Sequence, residues 1–128
     1  MLLNDFYTIQ SLEVDAQSIN AIIHLNKDHA IFQGHFPDNP VVPGVCLMAI
    51  TKEVLEQVLE MSLALKEAKS VKFLGVVNPN EQAVLKVQCD FSKDVDTFKT
   101  TCVITAGEKV CYKAGAIYTI LVIAMSPR

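Results

Sequence analysis

The sequence predicts an α+β domain in which an antiparallel sheet curls around one long central helix. Two observations carry this: a single long apolar helical segment from about Val42 to around Leu63, and a succession of strand-like runs after it, divided by turn signals. The chain has 128 residues, about half of them hydrophobic, enough to bury a core as one domain spanning 1–128.

Ile19, Ala21, Ile23 and Leu25 alternate with Asn20, Ile22, His24 and Asn26, the period of a strand with one polar-leaning face. The next eighteen residues hold two glycines and three prolines, and Pro43 suits the first turn of the helix that follows. Cys46, Leu47, Ala49 and Ile50 make the first half of that helix apolar nearly all round, so it must be buried. Lys52, Glu53, Glu56, Gln57 and Glu60 make its second half amphipathic. Further strands are expected at 71–77, at 83–91 where Leu85, Val87 and Cys89 alternate with Lys86, Gln88 and Asp90, at 97–105, and at 109–123. A single sheet on one helix leaves an exposed strand edge, which pairing with a second copy would cover, so a dimer is expected.

A net charge of −3 argues against a broad basic surface for nucleic acid. The N-terminus lacks a basic stretch followed by a long apolar one, and the apolar run 114–125 is too short for a membrane span of about 20 residues. The protein is therefore expected to be soluble and cytoplasmic. Cys46, Cys89, Cys102 and Cys111 are widely spread, which fits neither a disulfide framework nor a zinc site and points to reduced thiols in the core. Without a compact cluster of His, Cys and acidic residues, no metal is expected, nor is a cofactor. His24 and His29 are expected on the surface or in a turn, and Asp38 in a turn.

The most specific stretch is Gly34-His35-Phe36-Pro37-Asp38-Asn39-Pro40-Val41-Val42-Pro43-Gly44, one titratable imidazole on a proline-stiffened loop just before the helix. It resembles the signature of the (3R)-hydroxyacyl-[acyl-carrier-protein] dehydratases of the hot-dog fold: Gly-His-Phe-Pro, a short spacer, Pro-x-x-Pro-Gly, then a long helix. The likeness extends more weakly over most of the chain, through Val71-Lys72-Phe73 to Pro79-Asn80-Glu81. It implies a hot-dog fold, a dimer or larger oligomer with sites at the subunit interface, and an acyl carrier protein delivering an acyl thioester substrate.

The resemblance also assigns roles. His35 abstracts the C2 proton, and its ordinary pKa near 6.5 leaves it largely neutral at cellular pH. The backbone N–H of Gly44 polarises the thioester carbonyl at a helix start suited to negative charge, and Phe36 adds a second donor or shapes the pocket. Val45, Cys46 and Ala49 lie at or near the helix start as candidate acyl-pocket residues, with Phe73 and Val77 as further candidates for the acyl tunnel.

One position departs from the pattern. The family's acid, fourteen places after the histidine, is here Ala49, which cannot donate a proton. Glu53, four residues on, is either its replacement or part of a solvated stripe with Glu56 and Glu60. Three functions therefore stay open: a dehydratase of fatty-acid or polyene-type biosynthesis, a non-catalytic carrier-binding helper in a hetero-oligomer, and an acyl-thioester hydrolase. Lys66, Lys69 and Lys72 are candidates for docking the acidic carrier protein.

Overall fold

In the computed structural model, which describes residues 1–34 and 38–121, the elements run β1 (Tyr7–Asp15), β2 (Ser18–Leu25), α1 (Ala30–Gly34), α2 (Gly44–Leu59), β3 (Leu63–Phe73), β4 (Val84–Lys93), β5 (Thr97–Ala106) and β6 (Lys109–Ile120). Six described strands form one antiparallel sheet in the order β1-β2-β4-β5-β6-β3. Helix α2 packs against β2, β4 and β3. β2 and β3 stand four positions apart in that order, about 19 Å in a flat sheet, so the sheet must bend for one helix to meet both. This is the hot-dog arrangement.

Alternation decides which side chains face α2. Ile19, Ala21, Ile23 and Leu25 of β2, Leu85, Val87 and Cys89 of β4, and Phe98, Thr100, Cys102 and Ile104 of β5 are buried, with their sequence neighbours turned outward. β6 buries Cys111 and Tyr112 in succession, because a register shift between Ile104 and Thr105 inserts an extra residue there. From α2 itself Cys46, Leu47, Ile50, Val54 and Leu55 enter the same core. All four cysteines are free and buried.

Several boundaries differ from those expected. α2 stops at Leu59, where Glu60 turns into the left-handed region (φ 53°, ψ 44°) and ends the helical hydrogen bonding. Residues 63–70, of which the sequence predicts only Leu63, as the end of the helix, are the first eight of the eleven residues of edge strand β3, and the strand expected over 71–77 ends at Phe73. β1 and α1 were not anticipated at all, and β6 ends at Ile120, with residues 122–128 outside those described. The first half of α2 is not buried all round, since Val45 is 74% exposed.

Candidate active site

The amino end of α2 is the chemically distinctive end. Pro43 precedes the first helical residue in an extended conformation, among the described residues no side chain caps the end, and no acidic residue occupies the first turn. A helix start in this condition offers unpaired N–H groups and the positive end of the helix dipole. The preceding segment is held in place by the Val42 N–H donating to Val77 O at 2.9 Å and by Asn78 Nδ2 donating to Asn39 Oδ1 at 3.0 Å. Gly44 lies under the ring of Phe73: a Cβ there would stand 2.8 Å from Cε1 and Cζ. The glycine thus lets the ring lie close over the backbone, where a Cβ would have to push it aside. Phe73 is 54% exposed and packs on Tyr112 with ring centroids 5.6 Å apart and planes tilted by 45°, forming an apolar wall beside the helix start.

The residues singled out in the sequence fall into separate groups. His35 and Phe36 lie outside the described residues. Gly44, Val45 and Ala49 share the amino-terminal half of α2, Val45 exposed and Ala49 half-buried. Cys46 turns the other way, into the core, where burial and then the nearby Glu53 push its thiol pKa up, so it belongs to packing and not to nucleophilic chemistry. Val77 is buried, whereas Phe73 faces out. Lys66, Lys69 and Lys72 are all exposed along β3. His24 is exposed, but His29 is half-buried and paired.

Glu53 is where the structure departs most from the sequence reading. It is not solvated but 5% exposed. The Leu2 N–H donates to both carboxylate oxygens (3.1 and 3.0 Å), and Oε1 also accepts from the Leu3 N–H at 2.8 Å and the Tyr7 hydroxyl at 3.1 Å. Nine residues of helix, about 13 Å of rise, separate it from Gly44. Its carboxylate is occupied as an acceptor for the N-terminal segment. The role of spare acid beside Ala49 does not fit that geometry. Leu2, Leu3 and Tyr7 carry no local signal of this arrangement, because their partner is about fifty positions away.

Below the helix lies a second polar group. Thr51 donates to Met48 O at 2.8 Å and lies near the buried hydroxyls of Tyr112 and Tyr118. Burial, reinforced by Cys102, pushes the Tyr112 phenol up to about 12 and that of Tyr118 higher, with Thr51 opposing the shift in each. Burial and Glu53 raise Tyr7 further still.

Comparison with known proteins agrees with this architecture. Residues 11–113 match the ApeI-like family, described as ApeI dehydratase. A 3-hydroxyacyl-[acyl-carrier-protein] dehydratase FabZ from Latilactobacillus sakei is 34% identical over 69% of this chain and 68% of its own. The FabZ of Levilactobacillus brevis is 31% identical over 81% of this chain and 74% of its own. Among solved structures, the dehydratase heterocomplex ApeI:P from Xenorhabdus doucetiae superposes with a TM-score of 0.70 at 17% identity, covering 87% of this chain and 96% of that one, which is a likeness of fold. With a family match over 103 of 128 residues (11 to 113) and a hot-dog sheet around α2, the chain belongs to the ApeI-like dehydratase family.

Proposed function

We propose that the protein removes water from 3-hydroxyacyl thioesters carried by acyl carrier protein, in fatty-acid or polyene-type biosynthesis. The observation that carries this reading is the start of α2, uncapped among the described residues, with Gly44 against Phe73, nine residues after His35 in a Gly-His-Phe-Pro sequence. The thioester carbonyl accepts the Gly44 N–H, so negative charge that develops on its oxygen meets the helix start. His35 takes the C2 proton, the electron pair of that C–H bond becomes the C2–C3 double bond, and the C3–O bond breaks. The departing hydroxide takes up a proton and leaves as water. Phe36 and Phe73 wall the acyl group, with Val45 and Ala49 on the same side of α2.

In this reading the proton for the leaving hydroxyl comes from the His35 imidazolium, because Ala49 has none and Glu53 is held by the N-terminal segment. A working dimer supports the site. β3 is an open edge, and Val45, Leu65 and Phe73 are exposed apolar residues on and beside it. A cleft of the described single chain, lined by Thr8, His24, Lys27, Pro79 and Ala83 among others, includes neither Gly44 nor Phe73, and in this reading a second chain contributes walls to the acyl site at α2. Exposed Lys66, Lys69 and Lys72 suit an acidic carrier.

The vacancy of acid at Ala49 favours one other reading: a subunit that supplies the histidine side of a site whose carboxylate comes from a different chain. A direct assay decides between them. Purified protein is incubated with 3-hydroxyacyl and enoyl carrier-protein substrates, and gain or loss of water is followed by mass beside His35→Ala. Turnover lost in His35→Ala by about 10²- to 10⁴-fold supports the dehydratase. Tight carrier binding without turnover supports the helper subunit, and thioester cleavage without water loss would select a hydrolase instead.

A further inference from the structure

The first seven residues are built into the molecule at two places. At one, Glu53 of α2 gathers the Leu2 and Leu3 N–H groups and the Tyr7 hydroxyl. Between them the chain closes on itself: the Asp5 and Phe6 N–H groups donate to Leu2 O at 3.1 and 2.7 Å, and the Asn4 N–H to Tyr7 O at 2.7 Å, with Asn4 at a positive φ of 69°. At the other, Asp5 Oδ2 lies 3.0 Å from His29 Nε2, Asp5 O accepts from Asn26 Nδ2 at 3.0 Å, and Phe6 O accepts from the Asn26 N–H at 2.8 Å. The Phe6 ring, fully buried, meets His29 edge-on at 5.2 Å and Phe32 at 5.0 Å.

This second attachment is to the segment that delivers His35. His29 Nδ1 accepts the Ile31 N–H at 3.0 Å, so that nitrogen is bare, and Nε2 carries the hydrogen donated to Asp5. One imidazole thereby ties the N-terminal segment to the first turn of α1, and Phe32 ties it to the middle. α1 ends at Gly34, one residue before His35. Apolar packing alone would fill this region without a carboxylate. Burying Glu53 is costly unless its oxygens are paired, and charge-assisted bonds to fixed backbone N–H groups set position more sharply than apolar contact does.

We propose that residues 2–7 act as a positioning strap: Glu53 anchors them to α2, and Asp5, Phe6 and His29 carry that anchor to α1, which ends one residue before His35. Asp5, His29 and Glu53 are positioning residues for the base. That last step rests on the dehydratase reading above, whereas the mechanical link does not.

The test combines hydrogen exchange with kinetics on the full chain. Glu53→Ala should speed amide exchange in peptides spanning residues 30–44, far from Glu53 in sequence, as well as in residues 1–7. It should lower kcat about tenfold or more while KM stays within about twofold, the pattern of a misplaced reacting group. Glu53→Gln, which keeps one oxygen for Leu3 and Tyr7, should restore most of both. Asp5→Ala, at a side chain 75% exposed and so harmless to folding, should loosen residues 30–44 from the other attachment, and combined with Glu53→Ala it should add little further. Faster exchange confined to residues 1–7 in Asp5→Ala and Glu53→Ala, or unchanged kcat in folded variants of an active enzyme, would overturn the strap. If the unaltered protein turns over nothing, the dehydratase reading fails and exchange in residues 30–44 alone decides the strap.

Discussion

The two halves of α2 solve opposite problems. In the half that begins at Gly44, helix N–H groups lack a side-chain cap among the described residues, Val45 stands in the open and Phe73 leans over the backbone. In the half that contains Glu53, both Val54 and Leu55 are fully enclosed and the buried carboxylate is matched by three donors. Unsatisfied polar groups are costly inside a protein and useful where a ligand will supply the missing partner. One helix thus keeps stability and binding capacity at different ends, and, Glu53 with its strap to α1 apart, substitutions at each end should separate the two.

The largest effect expected is on stability. Leu55→Ala empties a fully buried site and should cost about 2–5 kcal/mol in denaturant unfolding, with the folded fraction keeping its kcat. At the other end, Gly44→Val should fold with nearly unchanged stability, because the atoms that its Cβ meets are the far edge of an exposed Phe73 ring able to swing aside. Its dehydratase activity should fall about 10²-fold, the scale of a displaced backbone donor. Adding Phe73→Ala to Gly44→Ala should recover part of the activity lost in Gly44→Ala if crowding by the ring is the cause. A Gly44→Val protein with full activity would remove the helix start from the mechanism.

What the sequence disclosed follows the same division between local and distant causes. The loop from Gly34 to Gly44 and the helix after it are read from adjacent residues, as are β2, β4 and β5, whose inward and outward positions alternate. The first eight of β3's eleven residues are not legible because Leu63-Ala64-Leu65-Lys66-Glu67-Ala68-Lys69 is made of good helix formers, and as an edge strand exposed on both faces over 65–70 it shows no alternation. β1 hides for a related reason, being exposed at every position from Gln10 to Asp15. The environment of Glu53 was not legible, since a stripe of Glu53, Glu56 and Glu60 looks solvated until a segment about fifty residues earlier folds over one member of it.

A pH titration sharpens the contrast from the buried side. All three tyrosines, Tyr7, Tyr112 and Tyr118, are buried and have phenol pKa values raised above 10. A raised folded-state pKa means that the native chain holds the proton more tightly than the unfolded one. The stability this contributes is complete below pH 10 and is lost as pH climbs from 10 toward about 12, the value reached by Tyr112. Tyrosinate absorbance should therefore stay low until unfolding begins and then rise together with it. Tyr112→Phe should move that unfolding to higher pH, and phenol ionisation well before unfolding would contradict the burial.

The smallest effect is the cleanest test of independence between the two ends. Glu60 ends α2 with φ 53°, a conformation that costs a residue with a Cβ about 1 kcal/mol and glycine almost nothing. Its own neighbour in the turn, Leu63, is held by Glu56 Oε2 at 2.9 Å, so the turn persists without the Glu60 side chain. Glu60→Gly should then raise stability by about 1 kcal/mol, less whatever entropy the glycine returns to the unfolded chain. The Gly44 end, sixteen residues away and about 24 Å along the helix axis, should not register the change. Equal kcat and KM in Glu60→Gly, beside a measurable gain in denaturation midpoint, would show that helix termination and the donor-presenting start are set separately. A kinetic change would mean instead that the length or tilt of α2 is transmitted from one end to the other.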